Sequence, residues 1–340
     1  MLNSKYLNLN FLDLSSYRTQ LMGIAALMII IGHANAYHVL MPNILSSICS
    51  HFAIGVDIFL FLSGLGLYYS LSKNTLSNKN DYLSFYKKRF YRIFIPYFMI
   101  YIPYCLIFIL LDRYSIRDSI LCLSTLEFWI FHRGAWFISL IIILYIISPF
   151  LYKVLLGKSK WLIAIGIIAI LTILRNIPLA DQSYSNVLYN GQLALARVPS
   201  FIIGLAIGPY CKEGKQISSL YMLLLCCICI ITSKYIGIWK CPWLIVPILL
   251  YIFILMIKLI ENLWINKCFK FLGKISLESY LTNITLKSIL AALIPAYISS
   301  PVFYGKYLEY AIIIVAGLLL AYYVHNVAKK ILSRILVSTL

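Results

Sequence analysis

The sequence predicts an all-α polytopic membrane protein of about ten transmembrane helices with both termini cytoplasmic. Three observations predict it. First, of 340 residues 62% are hydrophobic and 12% charged, and the mean hydropathy is +0.90. That is too apolar for a soluble core under a polar surface. Second, runs of about 20 mostly apolar residues, the length that crosses a roughly 30 Å hydrocarbon layer at 1.5 Å per residue, recur along the whole chain. The runs are continuous and not alternating, which disfavours a closed β-barrel. Third, with the amino terminus placed inside, the larger part of the 29 Lys and Arg residues falls in the connections assigned to the cytoplasm, as the positive-inside rule requires.

The spans follow in order. Residues 20–39 form an apolar run ending in Gly32, His33 and Ala34, and residues 52–71 carry Gly55, Asp57, Ser63, Gly64 and Gly66. The third span, 90–111, begins beside the basic segment FYKKRFYR, and the fourth, 135–153, opens on Trp136. Spans five and six, 161–176 and 198–211, are short and flank a link containing Pro178 and Asn186. Spans seven, eight and ten, 218–237, 242–260 and 309–328, are almost wholly apolar, whereas the ninth, 271–295, contains Glu278 and Lys287. The first run continues too long for a discarded leader, so the first span is expected to be retained. No internal repeat or polar tract marks off a separate soluble domain.

The net charge of +18 is spread over short tracts beside apolar spans, so it points to anionic lipid headgroups and topology and argues against nucleic acid. Nine Cys are scattered without zinc-type spacing, and Cys226, Cys227 and Cys229 sit within an apolar run. Packing explains them and no metal site is expected.

Ionisable groups within a span are costly and face a bundle interior or an aqueous cavity. His33 and Asp57 lie equally far from Leu45 in the connection between spans one and two, which puts them at similar depth. If they meet, Asp57 orients the imidazole while His33 removes a proton from an acceptor hydroxyl. The alternative is that each only satisfies a buried polar network. Arg89 and Arg92 fall on one helix face beside Lys87 and Lys88, a cationic site suited to the phosphates of an acyl donor or, equally, to lipid headgroups. Among the other histidines, His132 is a candidate for an outer acceptor site, and His38, His51 and His325 are read as interfacial or packed.

Taken together, IIIGH, GVDIFLFLSGLGL, FYKKRFYRIFIPY, WFISLIIILYIISPFLY, RVPSFIIGLAIG and GKISLESYLTN, in this order, resemble the acyltransferase 3 family of membrane-bound O-acyltransferases. The resemblance runs from about Arg18 to Asn283 and implies one transmembrane acyltransferase domain over residues 1–340. It implies transfer of an acyl group, commonly acetyl from acetyl-CoA, to a hydroxyl of a cell-surface polysaccharide or lipid-linked glycan. The setting it implies is a bacterial-type cytoplasmic membrane, with no tightly bound cofactor and with glycan assembly proteins as possible neighbours. By motif match His33 corresponds to the family's first-span histidine, and Arg89 and Arg92 to its RxxR pair. The family often has an arginine eleven residues before that histidine; here Met22 stands there, and Arg18, one turn upstream, is the candidate replacement. Ile141 and Ile142 occupy a region where members carry acidic residues, and Asn283 stands where histidine is frequent. Members with an SGNH-type hydrolase domain have a long carboxyl extension, so without one the acceptor is expected to be handled within the bundle or on a partner. A different class, a transporter or flippase for a lipid-linked glycan or acyl group, would also use these buried charges, and a noncatalytic scaffold is a third reading.

Overall fold

The computed structural model describes residues 9–36, 39, 42–73, 76–183, 185–237, 241–293 and 303–337. Helices account for nearly all of it. A short α1 (Phe11–Ser16) leads into α2 (Arg18–Ala36), α3 (Asn43–Ser50) and α4 (Gly55–Lys73). Then come the long α5 (Lys79–Leu110), the small α6 (Ile116–Leu123) and α7 (Glu127–Phe131), and α8 (Trp136–Val154). The second half comprises α9 (Lys160–Asn176), α10 (Val187–Leu195), α11 (Val198–Ala206), α12 (Gly208–Glu213), α13 (Ser219–Ile236), α14 (Val246–Leu259), α15 (Trp264–Lys274), α16 (Ser276–Leu293) and α17 (Phe303–Val337). Among the described residues, strand pairing is confined to a two-residue antiparallel ladder joining Leu9–Asn10 to Gln216–Ile217.

Six helical segments are long and apolar enough to cross a membrane: Asn43–Lys73, Lys79–Leu110, Trp136–Val154, Val187–Glu213, Pro242–Leu259 and Tyr310–Ile335. They coincide with six of the ten expected spans, and the chain is a helical, multi-pass membrane protein. The other four expected spans are not among these six. Helices α2 and α13, of 19 and 18 residues, fall on the expected first and seventh spans and are apolar over Arg18–Ala34 and Leu220–Tyr235. Helix α9 has 17 residues, about 25 Å at 1.5 Å per residue. The expected ninth span is broken at Ile275, where α15 ends and α16 begins. Helix α15 carries Lys267, Lys270 and Lys274 beside exposed Trp264 and Phe271, the pattern of a helix lying at an interface.

Helix α4 is the centre of the bundle, apolar all round and buried on nearly every face, as expected of a helix enclosed by others. It packs against α11, α2, α8 and α14. Glycines set the closest crossings, since helices in lipid approach through small residues. A Cβ on Gly64 would strike the carbonyl of Phe201, and one on Gly204 that of Phe61, so α4 and α11 meet backbone to backbone. Gly55 brings α4 against α2 at the carbonyl of Ala25, 2.7 Å from where a Cβ would stand. Helices α2 and α15 cross through Gly23 against Phe269 and Gly273 against Thr19. Helix α16 packs on α17, α5 and α2, and Thr282 of α16 donates its hydroxyl to the Gly317 carbonyl of α17 at 2.9 Å. Side-chain capping starts the long α5, where Asn78 accepts from the Asp81 amide and Asp81 from the Asn78 amide, satisfying groups no helical partner can reach.

Candidate functional site

A cavity of about 1160 Å³ lies among α2, α4, α5, α8, α15, α16 and α17. Its lining changes character along its length. Arg18, Lys73, Lys88, Arg89, Arg92, Lys274 and Lys329 make one part strongly basic, whereas Ile29, Val56, Phe59, Phe137, Ile141 and Tyr280 make another apolar and aromatic.

The three arginines singled out from the sequence share this cavity. Arg18 donates through Nε to the carbonyl of Leu62 at 2.9 Å. Gly66 leaves room for its guanidinium, since a Cβ there would lie 2.8 Å from an Arg18 terminal nitrogen. The Arg89 guanidinium sits 5.6 Å from the centre of the Phe85 ring, and Arg89 and Arg92 are both near enough to act on the Arg18 charge. Among the described residues no carboxylate is within ion-pair distance of any of the three. The lining carboxylates are engaged elsewhere: Asp81 accepts from the amides of Ser77 and Asn78 at 3.0 and 3.1 Å, and Glu278 pairs with His325 at 3.0 Å. Three guanidinium groups facing a cavity, with no counter-ion among the described residues, have the chemistry to hold an anion with several oxygens.

His33 lies one helical turn beyond Ile29, and Asn283 one turn beyond Tyr280, on two helices that pack together. The pair therefore stands just past the aromatic part of the cavity. Nδ1–H of His33 donates to Oδ1 of Asn283 at 2.7 Å. That bond sets the tautomer and leaves Nε2 with its lone pair, the form a general base requires. The axial rise from Arg18 to His33 is about 22 Å at 1.5 Å per residue, and the cavity follows α2 from Arg18 as far as Ile29.

Asp57 has a different partner from the one its spacing suggested. Its side chain is fully buried, its Oδ2 is paired with the guanidinium of Arg197, and its Oδ1 accepts from the Ser200 hydroxyl at 3.1 Å. Both oxygens are thus taken up by α11, and the expected support of His33 by Asp57 is corrected to support by Asn283. Equal distance from Leu45 failed as a guide because Leu45 is itself inside α3, not at the tip of a loop. Spacing also fixes depth and leaves the direction around the helix open. Arg197 was not singled out from the sequence as a partner for Asp57. Its available signal was position: a single cation immediately before the apolar run VPSFIIGLA of α11.

Elsewhere, His132 and Asn190 meet at 3.1 Å and His51 bonds the Ser47 carbonyl at 2.7 Å; His38 lies outside the described residues. In the connection before α8, Glu127 is buried and accepts from the Tyr114 hydroxyl at 2.7 Å. Among the described residues its second oxygen has no hydrogen-bond partner, and burial pushes its carboxyl above the usual range. Of the grouped cysteines, Cys226 and Cys229 are buried and Cys227 is exposed.

Residues 20–326 match a family model described as an acyltransferase domain. No curated relative and no solved structure matches the chain.

Proposed function

Because this chain belongs to the acyltransferase 3 family, we propose that it transfers an acyl group, in the first place acetyl from acetyl-CoA, to a hydroxyl of a cell-surface polysaccharide or lipid-linked glycan. The proposed setting is a bacterial-type cytoplasmic membrane, with membrane lipids and glycan assembly proteins as neighbours. The observation that carries the reading is the cavity itself. It runs from three guanidinium groups without internal counter-ions to an aromatic end one helical turn short of His33.

In this reading Arg18, Arg89 and Arg92 hold the donor's phosphates from the basic side, where lysines strengthen the local positive field. The extended pantetheine arm occupies the cavity and brings the thioester to its aromatic end. His33, held by Asn283, accepts the acceptor's hydroxyl proton at Nε2 as the oxygen attacks the thioester carbon. The C–S bond then breaks, and the thiolate leaves as the free thiol after taking up a proton. Water is kept from the thioester by Ile29, Val56, Phe59 and Phe137, which limits hydrolysis.

Membranes containing the full chain, given radiolabelled acetyl-CoA and host surface glycans, test this. Label should enter the glycan fraction with wild type and not with equally abundant His33→Ala. Equal incorporation by both removes His33 from the chemistry. Relocation of unlabelled glycan across the membrane in place of labelling establishes transport instead.

A further inference from the structure

Tyr280 lies where the cavity becomes aromatic, and its hydroxyl is held in an unusual way. The side chain is 5% exposed and contributes to the cavity lining. Its ring meets Phe137 edge-on at 5.7 Å, and Phe137 in turn touches Phe59 at 6.0 Å. The Tyr280 hydroxyl oxygen accepts a hydrogen bond from the backbone N–H of Phe137 at 3.4 Å. That amide is in the first turn of α8, at the positive end of the helix dipole, where N–H groups lack helical acceptors. Among the described residues the hydroxyl proton is given to no acceptor. A buried phenol that receives a hydrogen bond and makes none is a polarised donor awaiting an acceptor. Tyr101, whose buried hydroxyl neither donates nor accepts a hydrogen bond among the described residues, does not line the cavity.

We infer that Tyr280 is a catalytic residue whose hydroxyl donates a hydrogen bond to the carbonyl oxygen of the acyl donor as that oxygen becomes negative. The inference rests on the acyl-transfer reading above. Tyr280 and Asn283 occupy the same face of α16 one turn apart, so the donor to the oxygen and the support of His33 stand side by side. As the acceptor oxygen bonds to the thioester carbon, the C=O π electrons move onto the carbonyl oxygen, and the acceptor's proton passes to Nε2 of His33. Tyr280 holds the resulting oxyanion without giving up its own proton, and the Phe137 amide stabilises the phenol oxygen behind it. When the C=O bond reforms, the C–S bond breaks and its electron pair leaves on the CoA sulfur, which takes the proton from His33. The phenol returns to its starting state.

Such a donor acts on the transition state more than on binding. Tyr280→Phe keeps the ring and removes the hydroxyl. In membranes supplied with acetyl-CoA and host surface glycan it should lower kcat on the order of 10²-fold to 10³-fold, with KM for acetyl-CoA little changed. Because that variant also leaves the Phe137 amide without its partner, a second set of variants carries fluorotyrosines of graded phenol acidity at position 280. Their kcat should change systematically with phenol acidity, which a packing role would not produce. Wild-type kcat in Tyr280→Phe, or rates indifferent to phenol acidity, would overturn the inference while leaving acyl transfer in place. Absence of transfer by the wild type would overturn the acyl-transfer reading, and this inference with it.

Discussion

The pairing of Asp57 with Arg197 makes a quantitative claim about stability. Replacing Arg197 with Met strands a carboxylate that is fully buried, and replacing Asp57 with Leu strands a guanidinium whose side chain is 13% exposed. Breaking a buried pair from one side typically costs about 3–5 kcal/mol, whereas replacing both partners by apolar groups is often neutral or better. Ser200, which also bonds Asp57, loses one acceptor in the Leu variants, adding about 1 kcal/mol to the Asp57→Leu and double-variant values alike. The cycle of Asp57→Leu, Arg197→Met and the double variant should therefore show a coupling of at least about 3 kcal/mol, with the double more stable than Arg197→Met alone. Reversible unfolding in mixed micelles, followed by tryptophan fluorescence, measures it. Single effects that sum to the double within about 0.5 kcal/mol would refute the pairing. A companion cycle of Asp57→Leu with His33→Ala should be additive within that margin. Strong coupling there would restore Asp57 as the partner of His33.

Gly66→Ala places a Cβ 2.8 Å from an Arg18 terminal nitrogen and must displace the guanidinium. If Arg18 holds a donor phosphate through a charge-assisted bond of about 1.5–3 kcal/mol, KM for acetyl-CoA should rise about 10-fold to 100-fold with kcat less affected. An unchanged KM takes Arg18 out of the donor site. Glu127→Gln should stabilise the protein at neutral pH. Burial raises this carboxyl above its ordinary value, so the folded state favours the protonated form and is penalised as pH rises and the group ionises. The advantage of Gln over Glu should shrink as pH falls through the raised value of the folded state and be gone once pH is below the ordinary carboxyl range, to be followed in thermal melts from about pH 3 to 8. An advantage undiminished at the acid end would show that ionisation of Glu127 is not its source.

Apolar length and charge placement made the helical membrane architecture legible from the sequence, because span length is dictated by bilayer thickness and not by tertiary detail. Where polar residues interrupt a run, length alone misleads: Lys270 and Lys274 were absorbed into or beside a ninth span that the chain breaks at Ile275. The clustering of Arg18 with Arg89 and Arg92 was partly legible, since two of the three are local neighbours on α5. Partners distant in sequence were not. Arg197 reaches Asp57 across 140 positions and Asn283 reaches His33 across 250, and no local pattern encodes which faces of α4 and α11, or of α2 and α16, are turned together. Asn283 illustrates the difficulty from the other side. Read along the chain it was a departure from the family's histidine, yet in space it is the residue that orients His33.

The glycine contact between α4 and α2 bears on the range of acyl chains the protein can accept. Because Gly55 already lies against the Ala25 carbonyl, the α2–α4 spacing at that crossing is at its lower limit, and the crossing is locked by backbone rather than by adjustable side chains. Ile29, Val56 and Phe59 project into the cavity close to that lock. With the acyl group seated there as proposed, room for a longer tail would be gained by trimming those three side chains and not by spreading the helices. Under that proposal, selectivity for chain length would be a property of a few exchangeable residues on a fixed frame, one that can be retuned without rebuilding the fold.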